Sequence, residues 1–217
     1  MSFFDLISFI GIFVLIINTY FYFKSYLNYS IAFKVFSIYL FLTLLIQISS
    51  SVLFQLGINN LYLSHFYFIS QFILLSFFYS SLEKKNSVKK GIKYILLIGL
   101  IFISIYYTKD PETYYKFNIF EIIVTSIPLI IYSFLFFLKR IDNEDKKFIY
   151  INSGLFLYLS CSTLLFVAGN IKSSLKEVLW YSNVSLYLVY QILIFIEWYK
   201  NFKSKKNIKN STFIKHE

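Results

Sequence analysis

The sequence has little of what several large classes of protein depend on. Only one of its 217 residues is a cysteine, Cys161, which excludes an internal disulfide and a Cys-based metal site. Glycine (6 residues) and proline (2 residues) are too scarce for a collagen-like or low-complexity chain. Charged residues make up 15% of the chain, against about 25% in a typical soluble domain. The chain is therefore neither disordered nor an ordinary soluble domain.

Hydrophobic residues are correspondingly abundant. They make up 58% of the chain, and aromatic residues alone 23%. Runs of about 20 apolar residues are long enough to cross a bilayer as helices. The pattern predicts an all-α, polytopic seven-transmembrane helix bundle with these spans: Phe3–Phe23, Ile31–Leu56, Leu61–Leu82, Gly91–Tyr107, Phe117–Leu138, Phe148–Ala168 and Leu179–Tyr199. Residues 1–199 are expected to form one transmembrane domain, and residues 200–217 a basic cytoplasmic tail.

Lysine and arginine are distributed unevenly among the segments outside the spans. Alternate segments hold 4 and 17 of the 21 basic residues, and the N-terminal segment belongs to the poorer set. Under the positive-inside rule the richer set faces the cytoplasm. The pattern predicts an N-terminus outside and a C-terminus inside. Because topology explains the net charge of +10, no nucleic-acid partner is expected.

The tail after the seventh span is strongly basic. Its lysines are expected to anchor the chain to anionic lipid; those singled out are Lys200, Lys203, Lys205 and Lys206. Recruitment of a cytoplasmic protein is the alternative interpretation of the same residues.

Signatures of catalysis are missing from the sequence. It has two histidines, His65 and His216, and it has no H-E-x-x-H, no Gly-rich phosphate loop and no G-x-S-x-G. We therefore expect no catalysis by this chain alone, no metal and no cofactor.

Polar residues inside the predicted spans fall into stripes on three helices. Interhelical hydrogen bonding is the simplest explanation for them. The stripes comprise Thr43, Gln47, Ser51 and Gln55 in the second span, Ser153, Ser160, Thr163 and Asn170 in the sixth, and Asn183, Tyr187, Tyr190 and Gln191 in the seventh. Glu197 lies near a span end, where we expect its carboxylate to reach water.

Five polar residues fall near the predicted outer ends of five different spans. They are Gln55, His65, Glu121, Asn170 and Asn183. Such residues are rare in membranes and are functional candidates by default. The sequence predicts that they rim an outward-facing pocket for a small polar ligand. Alternatively, His65 is a satisfied interfacial residue and Glu121 caps the start of the fifth span.

Two stretches near the end of the chain resemble a known family. They are Tyr150–Ser160, with its continuation Leu164-Leu165-Phe166, and Leu179–Asn183 after a short loop. Both are similar to the seven-span sensor modules of Bacteroidota, which precede histidine kinases or stand alone beside kinase genes. The excess of Lys over Arg, 20 to 1, is typical of an AT-rich bacterium of that kind. The resemblance implies stimulus sensing coupled to a cytoplasmic output.

The sequence departs from the fused form of that family, because residues 200–217 hold no output domain. A signalling role then implies a membrane or cytoplasmic protein partner, such as a histidine kinase, besides the lipid bilayer. We expect a multi-pass sensor or accessory subunit of the bacterial inner membrane. A small-solute transporter or channel subunit and a structural subunit of a larger membrane assembly are the alternatives, and a homo-oligomer is left open.

Overall fold

Seven long helices make up almost all of the chain. The computed structural model describes residues 3–140, 146–171 and 176–203, and their side chains except at 3–5, 169–171 and 176–177. The helices are α1 (Phe3–Lys24), α2 (Ile31–Gln55), α3 (Tyr62–Leu82), α4 (Asn86–Lys109), α5 (Ile119–Arg140), α6 (Ile149–Ile171) and α7 (Lys176–Glu197). A 3-10 turn, Pro111–Tyr115, precedes α5, and a π-helical turn, Trp198–Phe202, continues α7. No strand occurs within these ranges.

All seven helices are long and apolar enough to cross a membrane, which confirms the predicted number of spans. The largest difference from the sequence-based bounds is at α4, which begins at Asn86, before the predicted Gly91. Its first turns carry lysines that hydropathy assigns to a loop. A helix continues as long as its backbone is hydrogen-bonded, whether or not its side chains are apolar.

The turn between α2 and α3 is a tight helical hairpin, as Gly57 predicts. Gly57 has a φ of 70°, a left-handed conformation that favours glycine. The Ile58 N–H donates to the Leu53 carbonyl (2.9 Å), and the Gly57 N–H donates to that of Phe54 (3.1 Å). This is the Schellman pattern that ends a helix. It fixes where α3 starts and therefore where His65 lies.

The helices form a ring with one helix outside it. Contacts run from α1 through α2, α3, α5, α6 and α7 and back to α1, while α4 packs outside against α3 and α5. The side chains at the centre are fully buried. They include Phe36, Phe72, Leu75 and Phe78. Many large apolar side chains on the outer faces are exposed, as a lipid solvent requires.

Basic residues gather at one end of the bundle, which we call the basic end. It consists of the α1–α2, α3–α4 and α5–α6 connections and the residues after α7. Its described basic residues include Lys24, Lys84, Lys85, Lys139, Arg140, Lys146, Lys147, Lys200 and Lys203. At this end the Tyr29 hydroxyl donates to the Phe202 carbonyl, and burial raises the pKa of Tyr29, so this donor stays protonated.

Glu197 corrects one sequence-based expectation, because its side chain is fully buried and does not reach water. Its carboxylate accepts from the backbone N–H groups of Phe148 (2.6 Å) and Tyr150 (2.9 Å), and from the Asn201 amide (2.6 Å). Phe148 has a φ of 67°, a strained conformation for a bulky residue. The free backbone N–H groups at the start of α6 bind the carboxylate, so the side chain turns towards them and not towards water. The end of α7 is thereby attached to the beginning of α6.

Candidate functional site

A buried histidine–glutamate pair lies at the end of the bundle opposite the basic end. His65, in the first turn of α3, places Nδ1 2.7 Å from Oε2 of Glu121, in the first turn of α5. Both side chains are almost fully buried. The ring Nε2 donates to the Tyr114 carbonyl (2.9 Å). The pair therefore joins α3, α5 and the turn before α5.

The partners of His65 fix the role of one ring nitrogen. A carbonyl accepts only, so Nε2 carries hydrogen. Nδ1 has two neighbours at 2.7 Å, Oε2 of Glu121 and the Tyr107 hydroxyl. The other carboxylate oxygen of Glu121, Oε1, is buried and has no partner among the described residues. The pair is therefore a buried, hydrogen-bonded unit that retains one unsatisfied acceptor.

Tyr107 of α4 and Asn118, just before α5, complete this cluster. The Tyr107 hydroxyl donates to the Glu121 carboxylate and accepts from the Asn118 amide (3.2 Å). The Asn118 Oδ1 in turn accepts from the Glu121 N–H (3.3 Å), which caps the start of α5. Sequence reasoning missed both residues. Tyr107 is the last residue of the predicted fourth span, and Asn118 is the second residue of the predicted fifth span, where the position of a helix cap is its only signal.

A cavity of about 240 Å³ lies next to this cluster, between α2, α3, α6 and α7. One part of its wall is polar and uncharged; these residues are Gln47, Ser50, Asn60, Ser64 and Asn183. The rest is mainly aromatic and comprises Tyr67, Phe68, Phe117, Tyr158 and Phe166. The cavity thus combines a mostly apolar wall with a few polar groups, as small-molecule sites do.

Most of the polar groups in the wall already have partners. The Asn60 amide donates to the Ser50 hydroxyl (2.8 Å), and the Ser64 hydroxyl donates to the Leu61 carbonyl (2.6 Å). Asn183 differs, because its Oδ1 is buried and accepts no hydrogen bond of good geometry from any described residue. A buried acceptor without a donor is costly, and each one in a native structure calls for an explanation.

The five residues predicted to rim one pocket have different positions. His65 and Glu121 form the pair, and the His65 ring is directed towards α4 and α5, although the neighbouring Ser64 lines the cavity. Asn183 lines the cavity itself. Gln55 is exposed at the end of α2 and does not line it. The Asn170 side chain lies outside the described residues.

Six buried polar atoms of α6 and α7 make no hydrogen bond of good geometry among the described side chains. They belong to Ser160, Thr163, Asn183, Tyr187, Tyr190 and Gln191. Four of these residues nevertheless have a polar side chain within reach, since Asn183 faces Tyr158, Tyr187 faces Gln191, and Tyr190 faces Tyr39. The polar stripes predicted on these helices therefore make loose contacts with other polar side chains. One bond does connect the stripe on α7 to α1, since the Asn18 amide donates to the Gln191 Oε1 (3.0 Å).

A second polar cluster lies nearer the basic end. The Asn152 Oδ1 accepts from the hydroxyls of Tyr79 (2.8 Å) and Ser133 (2.9 Å), and the Asn152 amide donates to the Ser133 carbonyl (3.1 Å). These three fully or nearly fully buried residues join α3, α5 and α6. Their sequence positions alone did not reveal the cluster, because the partners belong to three separate helices.

The four tail lysines are only partly within the structure. The Lys200 ammonium donates to the Tyr150 hydroxyl (2.8 Å), and the Lys203 ammonium lies 4.3 Å from the centre of the Tyr199 ring. Lys205 and Lys206 lie outside the described residues.

Metal-binding chemistry has no support among the side chains that the structure describes, where no three His, Cys, Asp or Glu residues gather. Comparison with known proteins supplies no further constraint: no family model, no curated protein and no solved structure matches this chain.

Proposed function

We propose that this chain is a membrane sensor that binds a small molecule in the cavity and relays the event to a partner protein at the basic end. The observation that carries the proposal is the cavity itself, with the polar side chains of Asn183 and Tyr158 among the aromatic residues of its wall. The role is one of binding and transmission, without catalysis.

The helices differ in how firmly their polar side chains are bonded, which suggests that α6 and α7 move while α3, α4 and α5 stay fixed. The cluster of His65, Tyr107, Asn118 and Glu121 attaches α3, α4 and α5 to one another. On the other side of the cavity, polar side chains of α6 and α7 such as Tyr187 and Gln191 lie within reach of each other without hydrogen bonds of good geometry. A small shift of α6 and α7 exchanges these loose contacts at little cost, whereas a shift of α3 against α5 breaks a hydrogen-bonded, buried unit.

Helix α7 provides a route from the cavity to the basic end. It runs from Asn183 in the cavity wall to Glu197, whose carboxylate holds the strained backbone at Phe148. A displacement of α7 alters the hydrogen bonds at the start of α6 and moves the π-helical turn Trp198–Phe202. Bistable contacts of this kind convert a small shift at one site into a change at another.

The proposal includes an orientation and a location. The cavity end faces outward and the basic end faces the cytoplasm of a bacterial inner membrane, as the lysine distribution favours. There Lys200, Lys203, Lys205 and Lys206 contact anionic lipid, and a cytoplasmic or membrane protein, such as a histidine kinase, receives the signal.

The packed centre of the bundle favours a sensor over a transporter. Between the cavity and the basic end lie the fully buried Phe36, Leu75 and Phe78. A solute would have to displace these rings and side chains to pass, whereas a sensor requires no passage.

Quantitative affinity purification from native membranes tests the proposal. Tagged wild-type chain is compared with Ser64→Phe, which fills the cavity, and with Ser104→Phe, the same change at an exposed residue of α4 that lies outside the cavity lining. We expect a protein partner whose recovery changes severalfold with Ser64→Phe and not with Ser104→Phe. A partner indifferent to both substitutions indicates a structural subunit, and solute flux in proteoliposomes of this chain alone indicates a transporter; either result overturns the proposal.

A further inference from the structure

The charge of the cavity wall limits what can bind there. The lining residues include no Lys, Arg, His, Asp or Glu. The nearest ionisable pair, His65 and Glu121, makes its hydrogen bonds with each other, with Tyr107 and with the Tyr114 carbonyl, away from the cavity. A charged ligand would give up part of its hydration here and meet no counter-ion, which is unfavourable. The wall therefore selects an uncharged molecule.

The size of the cavity limits the ligand further. A dry cavity of about 150 Å³ holds benzene, and most sites for drug-sized ligands begin at about 300 Å³. The volume of about 240 Å³ lies between these values. It fits a single ring with one small substituent.

Three aromatic rings in the wall favour a flat ligand. Phe68 lies edge-on to Phe117 (6.4 Å between ring centres, 74° between planes) and to Phe166 (6.2 Å, 89°). The rings come from α3, from the residues before α5 and from α6, so their faces and edges surround one side of the cavity. Aromatic rings in such sets pack best against another ring in an offset or edge-on geometry.

Asn183 and Tyr158 add a polar requirement on the other side. Both residues line the cavity, and the Asn183 side chain lies within hydrogen-bonding reach of the Tyr158 hydroxyl. The Asn183 Oδ1 is buried and has no hydrogen bond of good geometry from the described residues. A ligand with a hydrogen-bond donor can join this pair of polar groups, whereas a hydrocarbon cannot.

From these four constraints we infer that the cavity binds an uncharged, planar-ring molecule that bears a hydrogen-bond donor, of the amide or phenol class. The inference rests on the proposed sensor function and specifies the ligand of the same site. The ring packs among Phe68, Phe117 and Phe166, and the donor is directed to Asn183. Binding thereby connects α7 to α3 and α6 through one molecule.

Four probes of similar size test the inference by ligand-observed NMR on the full chain in lipid nanodiscs. They are benzamide, benzoate, benzylammonium and toluene, and empty nanodiscs correct for partitioning into lipid. We expect saturable binding of benzamide, at least about tenfold tighter than that of benzoate or benzylammonium. Asn183→Leu should weaken benzamide about tenfold and leave toluene unchanged, while the control Asn86→Leu alters neither.

The possible negative results distinguish an error in the ligand class from an error in the proposed sensor function. Tighter saturable binding of benzoate or benzylammonium that Ser64→Phe abolishes overturns the ligand class and leaves a sensing cavity in place. Benzamide binding that is indifferent to Asn183→Leu overturns the role of the donor. If no probe binds more weakly to Ser64→Phe than to the wild type, both the inference and the proposed function fail. Since Asn183→Leu and the comparison of probes on the wild type do not depend on Ser64→Phe, a misfolded cavity-filling variant still leaves the inference testable.

Discussion

At the scale of single residues, two buried carboxylates hold this molecule together. Glu121 hydrogen-bonds to His65, and Glu197 accepts from the backbone at the start of α6. Both carboxylates are buried away from water, so only their protein partners can satisfy them. Removing a partner therefore lowers the free energy of unfolding by more than the value of the lost hydrogen bond.

His65→Leu should lower the free energy of unfolding by about 3–5 kcal/mol, because it removes the histidine partner of a buried carboxyl group. The double variant His65→Leu/Glu121→Leu should recover part of this loss, since it removes the buried charge as well. Thermal unfolding in mild detergent measures both. Lys116→Gln, which breaks the exposed Lys116–Glu112 pair (3.7 Å), is the control and should change stability little. Additive losses in the double variant would contradict the account of a coupled pair.

Glu197→Gln should destabilise the protein by about 1–3 kcal/mol, because an amide NH₂ replaces one of the two oxygens that face backbone N–H groups. The first turn of α6 should loosen, which hydrogen exchange at Phe148 and Tyr150 detects. Glu83→Gln offers a matched change at the half-exposed Glu83–Lys139 pair and should have a small effect. Equal exchange in the two variants would show that Glu197 does not hold α6.

At the scale of helices, α6 and α7 pack closely because Gly154 leaves room for Tyr190. A Cβ built at Gly154 comes 2.7 Å from the Tyr190 ring, whereas one built at Gly91 in α4 meets nothing within 4 Å. The α6–α7 interface is thus shaped around the absence of a side chain, as in many membrane helix pairs.

Gly154→Val should force α6 and α7 apart and cost about 1–3 kcal/mol by overpacking. Gly91→Ala, the control, should be neutral or stabilise α4 by up to about 1 kcal/mol through lower backbone entropy. Melting temperatures of the two purified variants decide the matter. A Gly154 variant as stable as the wild type would mean that the interface is looser than the structure shows.

The sequence predicts helices far better than it predicts their polar contacts. The length of an apolar run is set by the thickness of the bilayer, so the predicted number of spans was correct. Helix ends such as Asn86 were not, because hydropathy reports preference for lipid and not backbone bonding. The positions of His65 and Glu121 within their predicted spans placed both residues at the same end of the bundle. No local feature of the sequence identified Tyr107 as their partner.

At the scale of the whole molecule, the bundle has two chemically different ends. One holds the cavity and the cluster around His65, and the other carries nearly all described lysines. An up-and-down path of seven helices places these features on opposite faces of a membrane. The proposed function uses this separation, with sensing on one side and transmission on the other.

Cysteine labelling in intact cells should confirm the proposed orientation. In a Cys161→Ser background, Asn59→Cys in the α2–α3 connection should react with a membrane-impermeant maleimide from outside. Lys85→Cys at the basic end should react only after the membrane is opened. The reverse pattern would invert the topology and place the cavity in the cytoplasm.

The most direct test of the central claim is whether the basic end responds when the cavity is filled. Trp198 reports on that end, because its ring stacks on Phe21 (4.1 Å between ring centres) at a distance of about 22 Å along α7 from Asn183. The measurement is Trp198 fluorescence in a Trp180→Phe variant during titration with benzamide.

We predict a saturable change in Trp198 emission that follows the occupancy of the cavity and disappears when Ser64→Phe is added to the same background. Saturable binding of benzamide in the cavity with no change at Trp198 would contradict the claim, because the two ends of the bundle would then be uncoupled.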